Sequence, residues 1–187
     1  MTINRYRVRE KYLPSTVLFG LGISTFMTTI NCEIQVIKKR KILAVASGGG
    51  HWVQLLRLRG LLDLHQICYV TVQPDYKNQI DSNSSFYTVT DATRWSKFDL
   101  ARMVLEVLWI VVKERPDIVI TTGAAPGVAA IRAGKLIGAR TIWLDSIANI
   151  EQMSMSGEKV RPYADLWLTQ WEHLARPDGP TFLGAVI

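Results

Sequence analysis

The sequence predicts an α/β chain built on a Rossmann-like, doubly wound parallel sheet. Short apolar runs of four to seven residues recur along the chain. Segments with helical periodicity stand between several of them, and glycine-bearing turns follow two of the runs. Strands that alternate with helices pair in parallel, because each crossover brings the chain back in the same direction.

The first run, 41–46, reads as a buried parallel strand and ends in Ser47-Gly48-Gly49-Gly50-His51. A helical pattern follows, with Leu55, Leu56, Leu58, Leu61 and Leu62 on its apolar side. A second strand covers 66–72, a polar loop runs through Ser84, and a third strand covers 86–89. A long helix over 99–115 is stopped by Pro116. Strand four is 117–121, followed by the turn 122–127 and a helix over 128–137 that stops at Gly138. Strand five is 141–144, with Asp145 at its end, and strand six is 165–169. Neither an internal repeat nor a low-complexity linker interrupts this order.

Of the 187 residues, 48% are hydrophobic and 20% charged, which suits one compact domain and excludes a disordered tail or a polytopic membrane protein. The length is too small for a complete two-domain transferase or synthetase. Cys32 and Cys68 are too few for a disulfide framework or a zinc site, so a reducing compartment is expected. The net charge of +6 is local. Residues 1–41 hold eight of the 22 Lys/Arg and two of the 16 Asp/Glu, leaving 14 of each sign elsewhere. A body without net charge is a poor duplex binder, so no nucleic-acid partner is expected.

Residues 1–40 form a basic-flanked apolar segment ahead of a domain over 41–187. From Tyr12 to Cys32 no charge occurs, a stretch just long enough to cross a bilayer core. It reads either as a single membrane anchor or as an overlong gene start with translation beginning near Met27; a cleaved signal peptide fits less well, as no clear cleavage site follows. Basic residues on both flanks leave its orientation open.

In open parallel sheets, ligands bind at the carboxyl ends of the strands. Ser47, Gly48, Gly49, Gly50 and His51 fall there, as do Thr122, Gly123, Pro126 and Gly127, and Asp145 with Ser146. Glycines let backbone N–H groups approach an anion at a helix start, so 47–50 reads as a diphosphate cradle or as a tight packing turn. It is neither a Gly-x-Gly-x-x-Gly fingerprint nor a P-loop. His51 is a candidate general base, or a donor to phosphate oxygens. The turn 122–127 reads as an acceptor-binding loop or a plain turn, with Pro126 in the first turn of its helix. Asp145 either orients or deprotonates a sugar hydroxyl, or caps the following helix. The long helix is apolar nearly all round, with a polar stripe of Arg102, Glu106 and Lys113 on which Trp109 also falls; it reads either as a buried helix or, given the Trp on its wet side, as a membrane-interface or partner contact. Asp-x-Asp, His-Glu-x-x-His, Cys-x-x-Cys and Gly-x-Ser-x-Gly motifs are all missing, so neither a metal nor a cofactor is expected.

Ala46-Ser47-Gly48-Gly49-Gly50-His51 resembles the first glycine loop of the membrane-anchoring subunit family of the two-component N-acetylglucosaminyltransferase of asparagine-linked glycosylation, with its bacterial relatives in capsule and exopolysaccharide synthesis. The stretch 121–127, then Trp143-Leu144-Asp145-Ser146-Ile147-Ala148, then Ser154-Met155-Ser156-Gly157, Tyr163-Ala164-Asp165, Gln170-Trp171 and Gly184-Ala185-Val186 are similar to the same family in the same order. Asp145 stands where eukaryotic members usually carry Glu. The resemblance covers about residues 40–187. It implies the amino-terminal, acceptor-binding half of a split GT-B glycosyltransferase of inverting type. It implies a polyprenyl-diphosphate-linked acceptor, a UDP-sugar, a separate donor-binding subunit forming the carboxyl-terminal GT-B half, and residence at the cytoplasmic face of a membrane. His51 and Asp145 would be catalytic, and the glycine loops would bind substrate. The rival expectation is a non-catalytic membrane scaffold that stabilises a partner transferase.

Overall fold

The structure is a computed structural model and describes residues 38–92 and 96–186. The apolar stretch 12–32 and Cys32 lie outside the described residues. Lys39–Ile187 is one compact unit.

Seven parallel strands form one sheet in the order β3-β2-β1-β4-β5-β6-β7. They are β1 (Lys41–Val45), β2 (Gln66–Thr71), β3 (Ser85–Thr88), β4 (Ile118–Thr121), β5 (Arg140–Leu144), β6 (Leu166–Thr169) and β7 (Thr181–Phe182). Six match the expected runs. The edge strand β7 is new; with two residues it carries no periodic signal. The helices are α1 (Gly50–Arg57), α2 (Arg59–Leu62), α3 (Lys97–Glu114), α4 (Ala124–Leu136) and α5 (Met155–Val160).

The strands alternate their side chains between two faces, and each face builds its own core. Leu43, Val45, Cys68, Val70 and Val119 pack under α3 and α4, against Met103, Val107, Ile110, Val111, Ala130 and Ile131. Ile42, Ala44, Ile67, Tyr69 and Ile120 pack on the other face against Trp52, Leu55 and Leu62 of α1 and α2. This two-sided burial explains why β1 and β2 are apolar throughout rather than alternating.

Helix α3 begins two residues earlier than expected. The Ser96 hydroxyl accepts from Asp99 N at 3.3 Å and caps it. It ends at Arg115, which turns left-handed (φ 44°) ahead of Pro116. Helix α4 begins four residues earlier than the expected 128, absorbing four of the six residues of the predicted turn. It lies close to the sheet because of Gly134: a β-carbon there would stand 2.6 Å from Val119 Cγ2. At the amino edge of β6, the Asp165 carboxylate accepts from Lys135 Nζ and from Thr141 N at 2.9 Å.

Two outcomes follow for stability. Gly134→Ala forces α4 off β4 and lowers the unfolding free energy by about 1–3 kcal/mol, read as a lower urea midpoint at constant slope. The Lys135 hydrogen bond, against the cost of desolvation and helped by Thr141, holds the Asp165 carboxyl below its usual range. A depressed folded-state value adds stability above the unfolded value of about 3.9 and loses it as pH falls through the folded one. Asp165→Asn therefore makes stability fall less steeply below about pH 4, as a pH series of melting temperatures will show.

Candidate functional site

The strand order reverses between β1 and β4. The chain leaves β1 toward β2 on one side and leaves β4 toward β5 on the other, with helices on opposite faces. In open parallel sheets the diverging exits at such a point mark the ligand-binding crevice. Ser47, Gly48 and Gly49 stand at this point after β1 and Asp145 with Ser146 after β5, while Thr122 and Gly123 follow β4 and are buried.

The first loop is held from beneath. Thr71 Oγ1 donates to the Ser47 carbonyl at 2.9 Å. Gly49 has φ 61°, a left-handed conformation that glycine adopts without strain, and passes straight into α1. Gly49 and Gly50 are exposed. No side chain caps α1, and none caps α4, whose N-cap is Gly123 at φ 129°. The contrast lies within the same chain, since α3 and α5 are both capped by serines, Ser96 and Ser154. The short α2 continues directly from α1. Two helices thus present bare amino termini at the switch point, where first-turn N–H groups and the helix dipole favour an anion.

His51 and Thr122 join these two loops. His51 Nδ1 donates to the Thr122 carbonyl at 2.7 Å, and Thr122 Oγ1 donates to the His51 carbonyl at 2.7 Å. A carbonyl only accepts, so Nδ1 carries a proton, and Nε2 is the ring nitrogen left for other partners. The ring lies so close to the second loop that a β-carbon at Gly123 would stand 2.7 Å from His51 Cε1. Gly123 therefore makes room for the imidazole.

Other expected residues have different surroundings. Pro126 and Gly127 sit buried within the first turn of α4, not in an open loop. A β-carbon at Gly127 would stand 2.3 Å from Thr121 Oγ1, so that glycine serves helix–strand packing. Asp145 is only 2% exposed. Its Oδ1 accepts from Trp143 Nε1 at 3.1 Å and from Ser154 Oγ at 2.6 Å. Its Oδ2 accepts from Asn149 Nδ2 at 3.2 Å and from Ser154 N at 2.7 Å. Both oxygens are thus engaged within the chain, and the carboxylate faces inward. It does not cap α5 directly. It holds Ser154, which caps α5 by accepting from Gly157 N at 2.9 Å. Cys68 is buried, and burial first, then Glu114, pushes its thiol up to about 12, so it offers no thiolate nucleophile.

Beneath the crevice lies a polar network that sequence reasoning did not identify. Gln170 Nε2 donates to Gln54 Oε1 at 2.6 Å and to the Asp145 carbonyl at 2.8 Å. Gln54 Nε2 donates to Ser146 Oγ at 3.2 Å, and Ile147 N donates to Gln54 Oε1 at 3.2 Å. Both glutamines are buried. They tie α1 to the ends of β5 and β6 and so fix the floor of the site. The one signal in the sequence was Gln54 among the leucines of an amphipathic helix.

Asp145→Ala strands four donors in a closed environment. The expected loss is about 3 kcal/mol, measured by denaturant unfolding, together with faster proteolysis within 145–154.

The chain was compared with known proteins. It is 25% identical to the UDP-N-acetylglucosamine transferase subunit ALG14 of Yarrowia lipolytica, over 72% of this chain and 75% of that protein. It is 19% identical to the subunit of the same name from Candida albicans, over 84% of this chain and 83% of that one. Among solved structures it is similar to Acinetobacter baumannii MurG (TM-score 0.63, 12% identity, 76% of this chain). It is also similar to the UDP-N-acetylglucosamine 2-epimerase of Rickettsia bellii (TM-score 0.60, 16% identity, 79% of this chain). The chain spans 45% of the length of each of these two structures, and at such identities the likeness is one of fold, that of a GT-B half. The family model described as "Oligosaccharide biosynthesis protein Alg14 like" matches residues 86–185, which include the second glycine turn and Asp145. On a parallel sheet with its crevice at the switch point and a family match over more than half its length, the chain belongs to the Alg14-like family of oligosaccharide biosynthesis proteins.

Proposed function

We propose that this chain is the acceptor-binding and membrane-recruiting subunit of a heteromeric inverting glycosyltransferase. The donor is a UDP-sugar, with UDP-N-acetylglucosamine favoured by the names of the two fungal relatives. The acceptor is a polyprenyl-diphosphate-linked saccharide in polysaccharide biosynthesis. The observation that carries this reading is the pair of uncapped helix starts, α1 and α4, with His51 locked between them.

The backbone N–H groups that open α1 after Gly49 and α4 after Gly123 receive the acceptor's diphosphate, while the amides of Gly49 and Gly123 are themselves held by Tyr76 and Thr121 and, with Ser47 and Gly48, shape the loops behind them. Thr122 sets the tautomer of His51, so that Nε2 takes the proton of the acceptor hydroxyl. The hydroxyl oxygen attacks the anomeric carbon, and its new bond forms as the bond to UDP breaks on the opposite face. UDP leaves with the electron pair, and the configuration inverts. Asp145, Ser146, Pro126 and Gly127 act as positioning residues in this scheme and do not touch substrate. The donor is held by a partner subunit, the carboxyl-terminal GT-B half. The word subunit in the names of both fungal relatives supports that division.

Recruitment to the cytoplasmic face of a membrane is supported by α3. One face of this helix is in the core, yet Phe98 is 79% exposed, Leu105 64% and Trp109 56%, with Val104, Leu108 and Val112 also exposed. Lys113 Nζ lies 4.5 Å from the Trp109 ring centroid, an amphipathic pairing suited to a headgroup boundary. No helix among the described residues is long and apolar enough to cross a membrane. The segment 1–40 is proposed as a further, basic-flanked anchor, each Lys/Arg near an anionic surface adding about 1 kcal/mol.

Two measurements test this reading. In an assay with labelled UDP-sugar, polyprenyl-diphosphate acceptor and the donor-binding partner, His51→Ala loses about 10²–10⁴-fold in turnover. Full activity in that variant supports the rival scaffold, and robust turnover by the chain without a partner overturns the split-enzyme reading. In flotation with anionic liposomes, Leu105→Asp combined with Trp109→Asp reduces the bound fraction without changing the melting temperature. Unchanged flotation removes α3 from the membrane contact.

A further inference from the structure

The segment between β2 and β3 reads as a plain polar loop in sequence, yet it folds over the first glycine turn. It contains a 3₁₀ helix, Pro74–Gln79, which brings Tyr76 onto the indole of Trp52. The two rings stack with centroids 5.0 Å apart and planes 17° from parallel. Trp52 is itself buried and donates Nε1 to Gln79 Oε1 at 2.9 Å, so the same segment is fixed at a second point. The Tyr76 hydroxyl then accepts from Gly49 N at 3.0 Å. Gln73 closes the same side: a β-carbon at Gly48 would stand 3.3 Å from Gln73 Cγ and 3.7 Å from its Nε2.

We infer that Tyr76 is a diphosphate-binding residue of this site, donating its phenolic proton to a phosphate oxygen alongside the glycine-loop amides. The inference rests on the diphosphate reading of the loop given above. Its warrant is hydrogen-bond valence. A phenol has one proton to give. Gly49 N–H occupies a lone pair of the oxygen, and among the described residues nothing accepts the proton in return. The ring cannot swing away without losing its stack on Trp52. A fixed O–H thus stands beside the exposed amides of a helix start, where a donor to an anionic oxygen forms a stronger bond than one to a neutral acceptor. The ligand class is a diphosphate, whether that of a lipid-linked acceptor or that of a nucleotide-sugar.

The test uses the full chain with tyrosine labelled at ¹³Cζ, and farnesyl diphosphate and UDP as separate probes. The Tyr76 resonance is identified by its loss in Tyr76→Phe, which keeps the stacked ring. With farnesyl diphosphate, that resonance moves and saturates along with binding, and Tyr76→Phe weakens affinity about tenfold at an unchanged melting temperature. A response to UDP instead keeps the residue's role and assigns the wall to the donor. If farnesyl diphosphate binds but the resonance stays fixed and the variant binds equally well, Tyr76 is only a packing residue and the inference falls while the diphosphate site stands. If the wild-type chain binds neither probe, the site reading falls and the inference with it.

Discussion

The geometry of the site hangs on the reciprocal pair of 2.7 Å hydrogen bonds between His51 and Thr122. One residue opens α1 and the other leaves β4, so the pair spans the point at which the strand order reverses. Each bond contributes only about 1 kcal/mol net, but breaking either leaves a buried group unpaired at a larger cost. Their effect is mainly geometric. They bring two helix starts together, force the neighbouring residue to be Gly123, and fix a proton of His51 on Nδ1. A side-chain cap on α1 or α4 would stabilise the fold by about 1 kcal/mol, as the serines on α3 and α5 do. Among the described residues, the longer helices that forgo that gain are the two whose starts meet at the switch point, α1 and α4. Such selective loss is expected where the open N–H groups have another partner.

Much of the fold was legible because its determinants are local. Runs such as Ile42 to Val45 are apolar on both faces, which only a strand covered by helices on two sides requires. Pro116 and Gly138 punctuate the helices, and the glycines of 47–51 mark the turn where an anion is expected. The start of α4 was misplaced because glycine and proline, read as turn residues, also occupy the first turn of a helix. Gly127 is there for close approach to Thr121, a tertiary need with no local signature. The tenability of β7 likewise depends on pairing with β6, since Thr181 and Phe182 alone have no period.

The parts of the site that stayed hidden are side chains whose partners lie far along the chain. Gln54 meets Ser146 and Gln170 across 92 and 116 residues. Its position in α1 reads as a polar break in a leucine stripe, whereas the folded chain buries it and satisfies both ends of its amide. Buried amides of this kind hold a single arrangement when fully paired and are costly when half paired. That explains a polar floor under a crevice whose loops must keep their places. Tyr76 was hidden for the same reason: nothing between β2 and β3 announces that a six-residue 3₁₀ turn will deliver a phenol to Gly49.

At Asp145 the surroundings in the fold decide what the side chain can reach. A carboxylate after a strand at the carboxyl edge of a parallel sheet is a reasonable candidate for contact with a substrate hydroxyl. Here four donors converge on it, and Gly157 packs so near that a β-carbon there would stand 3.1 Å from Asp145 Oδ1. An additional methylene at this position would drive the carboxylate about 1.5 Å deeper, into Gly157 and the Ser154 cap. The shorter side chain is the one that fits this pocket. Asp145 is thereby occupied in joining β5 to α5 through Ser154.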